Sequence, residues 1–144
     1  MDAISPNARW LGYAGLLPQA AAFAAVIKGG EAEWTALALS FGYAALIFSF
    51  LGGVWWGLAL AAPRAPRWIF AVAVLPSLIA LALWYPWMVG DTWPGPELVV
   101  LGLLIGASPL VDRAIGFVPR GWMALRWTLS LGLGGFTLAI GLIG

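Results

Sequence analysis

Few side chains in this 144-residue sequence could do chemistry, and they are widely spaced. Histidine and cysteine are absent. That removes the commonest general base, the commonest haem and zinc ligand, and any disulfide, thiolate site or thiol nucleophile. Four constellations remain. Asp112 and Arg126 carry opposite charges on either side of a short loop and form a candidate ion pair. Gln19 follows Pro18, and Ser77 follows Pro76, so each polar side chain stands beside a residue that lacks a backbone donor. The fourth is Ser49-Phe50-Leu51-Gly52-Gly53-Val54-Trp55-Trp56-Gly57, which crowds glycines and adjacent indoles into one apolar stretch. No phosphate loop, metal cluster or nucleophile–base set accompanies them, so neither an enzyme nor a cofactor is expected.

These residues sit in a chain that is 62% hydrophobic and 9% charged, with a mean hydropathy of +0.95. A soluble domain is about 25% charged, because its surface must be solvated. Several apolar runs reach the ~20 residues that cross a bilayer core as a helix. The class implied is an all-α integral membrane protein, a single bundle of five transmembrane helices over 1–144. The spans fall at about 9–28, 34–62, 68–89, 97–111 and 122–143. The first apolar run is interrupted by Pro18 and has no small-residue cleavage site, so a signal peptide is not expected.

Five spans place the termini on opposite sides. Arg9, Arg64, Arg67, Arg113, Arg120 and Arg126 fall on the amino-terminal side, against Lys28 alone on the other. The positive-inside rule then puts the amino terminus in the cytoplasm and the carboxyl terminus outside, in a bacterial inner membrane. Trp10, Trp68, Trp122 and Trp127 mark one boundary, and Trp34, Trp84, Trp87 and Trp93 the other, as an aromatic belt would. So few basic residues, spread over short loops, do not make a nucleic-acid surface.

Arg9-Trp10 to Pro18 and Arg67-Trp68 to Pro76 align at one constant offset, which suggests an internal repeat. The simpler account is that any outward-running helix gains from Arg and Trp at its cytoplasmic mouth. Both prolines should kink their helices, because neither can donate to the carbonyl four residues earlier. Lipid cannot satisfy the freed carbonyls of Ala14 and Val72, and Gln19 and Ser77 are the candidate partners. The alternative use of Pro18, Gln19, Pro76 and Ser77 is a polar spot lining a cavity.

At 100° per residue, Gly42, Ser49, Gly53 and Gly57 lie within about 40° of one line on the second span. Such a stripe of small residues forms a helix-packing seam, for which Gly102-xxx-Gly106 and Gly135-xxx-Ala139 are natural complements. Trp56 lies about 60° from Gly53 and Trp55 about 160° from it, so one indole packs beside the seam and the other faces elsewhere. Gly52 leaves room for a flat group, either another helix or an apolar ligand.

The chain resembles the transmembrane protein 69-like family of small membrane proteins. The resemblance rests on Leu11-Gly12-Tyr13-Ala14-Gly15-Leu16-Leu17-Pro18, on Gly52-Gly53-Val54-Trp55-Trp56-Gly57, on Leu75-Pro76-Ser77-Leu78, and on Asp112 with Pro119-Arg120-Gly121-Trp122 and Arg126. It implies a multi-pass protein of bacteria or mitochondria, of uncharacterised function. That family usually carries histidine at the position of Trp55, so any proton or metal role of that histidine is not carried over. The leading reading is an interaction or accessory module packing through its glycine seams; the alternative is a binder or carrier of an apolar molecule such as a lipid or quinone, and a third, a lipid-directed enzyme, has no catalytic set to support it. The partners expected are the lipid bilayer, a membrane protein or second copy of the chain, and an apolar ligand.

Overall fold

A computed structural model describes residues 3–144. Among them the chain forms seven helices: α1 Pro6–Ala14, α2 Leu17–Lys28, α3 Glu33–Ala61, α4 Arg67–Met88, α5 Gly95–Ala107, α6 Pro109–Ile115 and α7 Trp122–Ile143. There is no strand among the described residues, only one isolated bridge between Ala3 and Arg120. α1 with α2, and α5 with α6, are each one path across the bundle. Five stretches are therefore long and apolar enough to cross a membrane: Pro6–Lys28, Glu33–Ala61, Arg67–Met88, Gly95–Ile115 and Trp122–Ile143.

The element ends follow local chemistry. Ser5 caps α1, its Oγ accepting from the Ala8 N–H at 3.1 Å, with Pro6 in the first turn. Proline suits that position because its missing donor would have had no partner there. Pro18 then divides the first span, which turns at Gly15 and Leu16 before α2 resumes. Pro76 does not have this effect, and α4 runs through both Pro76 and Pro86. The two aligned prolines thus have different local outcomes. Pro109 divides the fourth span in the same way as Pro18 divides the first, and carries it on to Ile115, beyond the expected end at 111.

α3 is the central element. Its 29 residues would extend about 43 Å, well beyond the ~30 Å of a hydrocarbon core. It packs against α2, α4, α5 and α7. Its buried face carries Phe41, Ala44, Phe48, Leu51, Trp55 and Ala59.

That face corrects the expected seam. By the same 100° count, the stripe of Gly42, Ser49, Gly53 and Gly57 lies on the opposite side of α3 from the buried residues. A Cβ added at Gly42, Gly53 or Gly57 would meet nothing within 4 Å. Leu46, Phe50 and Leu60 share this outward face and are exposed. The stripe has the form of a seam, but within the chain no helix packs on it.

The close approaches are elsewhere. A Cβ on Gly52 would run into the Ala73 carbonyl oxygen and lie 3.2 Å from Pro76 Cγ. The room beside Gly52 is therefore filled by α4. α5 and α7 meet along glycines spaced seven apart on each: Gly102 against Gly134, and Gly95 against Gly141. A Cβ on Gly102 would lie 2.8 Å from the Gly134 carbonyl oxygen, and one on Gly134 2.9 Å from the Gly106 nitrogen. Such contact gains dispersion energy between backbones, which is how helices associate where lipid removes any hydrophobic drive. Gly102 and Gly106 do form a close helix contact, but with α7 rather than with the expected stripe on α3, and on α7 the contact is made by Gly134, not by Gly135, beside which there is open space.

Candidate functional site

The densest polar chemistry lies where α3, the α5–α6 junction and α7 converge. Asp112 and Arg126 meet here, with 0% and 4% of their side chains exposed. The guanidinium engages the carboxylate through two bonds, Nε–H to Oδ2 and Nη2–H to Oδ1, both 3.2 Å. Each oxygen also accepts from an indole: Oδ1 from Trp55 Nε1–H at 2.9 Å, and Oδ2 from Trp122 Nε1–H at 2.6 Å. Arg126 donates onward from Nη1 to Ser130 Oγ at 2.5 Å and from Nη2 to Ser108 Oγ at 2.8 Å. A carboxylate has about four lone-pair sites, and all four are used. Burying two charges is costly unless they are paired and fully hydrogen-bonded, and this arrangement meets both conditions.

Asp112, Arg126 and Trp55 stand out in the sequence, whereas Trp122 has a place in the aromatic belt and in the family resemblance but none beside the ion pair, and Ser108 and Ser130 do not stand out at all. A signal for them is nonetheless present. Trp122, Arg126 and Ser130 are spaced four apart on α7, and Ser108 and Asp112 four apart across the α5–α6 junction, so each set shares one helical face.

Trp56 turns the other way. It is 41% exposed and meets Phe70 edge-on at 4.9 Å. Its place on the side of the glycine stripe therefore puts it on the bundle's surface, while Trp55 faces inward.

Gln19 and Ser77 do not serve the prolines as expected. Gln19 is fully buried and links three helices: its Nε2 donates to Ser40 O at 3.0 Å on α3 and to Thr137 Oγ1 at 2.8 Å on α7. At the turn before Pro18 it is the Gly15 carbonyl that accepts a side-chain bond, from Tyr43 O–H at 2.5 Å. The break itself explains this. It turns Gln19 into the bundle, so the hydroxyl that reaches the turn comes from α3. Ser77 is exposed on α4, whereas its neighbour Pro76 is buried against Gly52.

A cavity of about 390 Å³ adjoins the ion pair. α1, which has no buried residue, forms one wall with Leu11 and Gly12, and Gly15 of the turn after it continues that wall. Phe50 of α3 and Leu129 of α7 line the rest, and Arg126 and Ser130 give it a polar border. A second, more open groove of about 550 Å³ runs between α3 and α4, lined by Trp34, Trp84, Trp87 and Trp93 together with Gly42 and Ser49. Two residues of the expected seam thus face a tryptophan-lined groove.

The family model described as "Protein of unknown function (DUF3429)" matches residues 4–143, and the chain belongs to that family. No curated protein and no solved structure matches the chain.

Proposed function

We propose that the protein binds or carries an apolar membrane molecule in the cavity bounded by α1, α3 and α7. One observation carries this reading: an apolar cavity of about 390 Å³ is bordered by the buried donors of Arg126 and Ser130. Small-molecule sites have this character, with mostly apolar walls, a few placed polar groups and volumes of about 300–1,000 Å³. Leu129→Trp fills the cavity from α7 without touching the ion pair. Solvent extraction and mass spectrometry of the purified protein should find a lipid or quinone at a fixed ratio to the wild type, and much less of it in the variant. Equal retention by both proteins would remove the cavity as the site.

A second reading, an interaction or accessory module, is favoured by the outward face of α3. There Gly53 and Gly57 lie open between exposed Leu46, Phe50 and Leu60. A membrane protein or a second copy of the chain could approach closely at that face, and a partner co-purifying at a fixed ratio would support this reading. The arginine distribution supports a bacterial inner-membrane setting with a cytoplasmic amino terminus. The Leu11–Pro18 and Gly52–Gly57 motifs support a place among the transmembrane protein 69-like members.

A further inference from the structure

The hydrogen-bond inventory around Asp112 is unbalanced in one direction. Its carboxylate accepts four bonds and has no capacity left. Ser108 Oγ donates its one proton to the Ile105 carbonyl at 2.6 Å and accepts from Arg126. The excess is of donors. A guanidinium has five N–H groups; Arg126 commits one at Nε, one at Nη1 and two at Nη2, leaving one on Nη1. Ser130 Oγ accepts from that same Nη1, and the nearest acceptor for its own proton is Ser108 Oγ at a weak 3.4 Å. Arg126 and Ser130 are also the charged and hydroxyl-bearing residues that border the cavity.

Resting on the reading of this cavity as a binding site, we propose that its ligand is a neutral molecule with a carbonyl acceptor at one end of an apolar body. The carbonyl accepts from Arg126 Nη1–H and Ser130 Oγ–H. A ligand headed only by donors would find the Asp112 carboxylate filled and a single Ser130 Oγ lone pair open, leaving both local donors unpaired. An anionic head would sit beside the Asp112 carboxylate, which already neutralises Arg126, so Coulomb repulsion offsets what the guanidinium offers. An alkyl chain alone leaves both donors unpaired in a cavity from which it has displaced water. A quinone and an uncharged acylglycerol both carry the required group.

The test uses the delipidated protein and four probes of similar apolar size: decylbenzoquinone, dioctanoylglycerol, decylbenzene and hexadecanoate. The fraction bound is read by native mass spectrometry. The expected result is that one carbonyl probe binds roughly tenfold or more tightly than decylbenzene, the factor carried by a hydrogen bond from a charged donor. Hexadecanoate should bind no better than decylbenzene. The preferred carbonyl probe identifies the source as quinone or acylglycerol. Ser130→Ala should shrink the preference for the carbonyl probe over decylbenzene several-fold. Wild-type binding of decylbenzene equal to that of both carbonyl probes overturns recognition of the head and leaves the cavity as an apolar site. Tightest binding of hexadecanoate overturns the neutral-ligand assignment. If no probe binds, the proposed function fails together with this inference.

Discussion

Gly52 and Gly53 are adjacent in one helix, and alanine at either position gains about 0.5–1 kcal/mol of helix propensity. That shared term cancels when Gly52→Ala and Gly53→Ala are compared, leaving only what the new methyl meets. At Gly53 it meets nothing within 4 Å, so the variant should match or slightly exceed the wild type. At Gly52 it falls on the Ala73 carbonyl oxygen and within 3.2 Å of Pro76 Cγ, neither of which can rotate away. Relief requires α3 and α4 to separate, and overpacking of this kind costs about 1–3 kcal/mol. At about 2–4 °C per kcal/mol, the two midpoints should differ by roughly 5 °C, with Gly52→Ala the lower. Thermal unfolding in a single detergent, followed by circular dichroism, measures the difference. A Gly53→Ala protein as destabilised as Gly52→Ala would refute the assignment of the inner face of α3.

Asp112→Asn leaves the Arg126 guanidinium buried without its anion, and removing one member of a buried pair costs about 3–5 kcal/mol. Detergent stability should fall accordingly, and adding Arg126→Met should recover part of the loss; no recovery would mean that charge pairing is not what the site requires. Trp55→Phe keeps most of the packing but removes one donor to the carboxylate, with an expected cost of about 1–3 kcal/mol in the same melt. An alkaline phosphatase fused after Gly144 should be active, as it is only outside the cytoplasm. An inactive fusion that is stably made would overturn the orientation.

The five spans were legible because length and apolarity are properties of sequence alone. The inner and outer faces of α3 were not. In water, a helix shows its buried side by contrast with its polar side. In lipid that contrast vanishes, and Phe50 on the surface is as apolar as Phe48 in the core. Small residues then become the natural guide, and on α3 they marked the outward face. The guide worked for α5, where Gly102 does pack. On α7 it failed by one position, because Gly134 and Gly135 are adjacent and nothing local distinguishes them. At the candidate site, the opposite charges of Asp112 and Arg126 announced their pairing. Trp55 joins them across 57 residues of sequence, a separation that no local pattern reports. The role of Gln19 was hidden because the break before Pro18 rotates α2 relative to α1, and a kink read from sequence has no direction.

The ion-pair cluster also has an order in time. The chain is made from its amino end, so α3 with Trp55 and the α5–α6 segment with Ser108 and Asp112 are synthesised before α7. Until α7 arrives, Asp112 can draw on only one of its four donors, the Trp55 indole, and the glycine face of α5 has no backbone to meet. A bundle one helix short would hold an unpaired carboxylate against lipid, a costly arrangement. Insertion of the last helix supplies Trp122, Arg126, Ser130, Gly134 and Gly141 together. Synthesis of α7 and closure of the bundle thus coincide, and chains released before α7 remain distinguishable from those that carry it by an exposed charge.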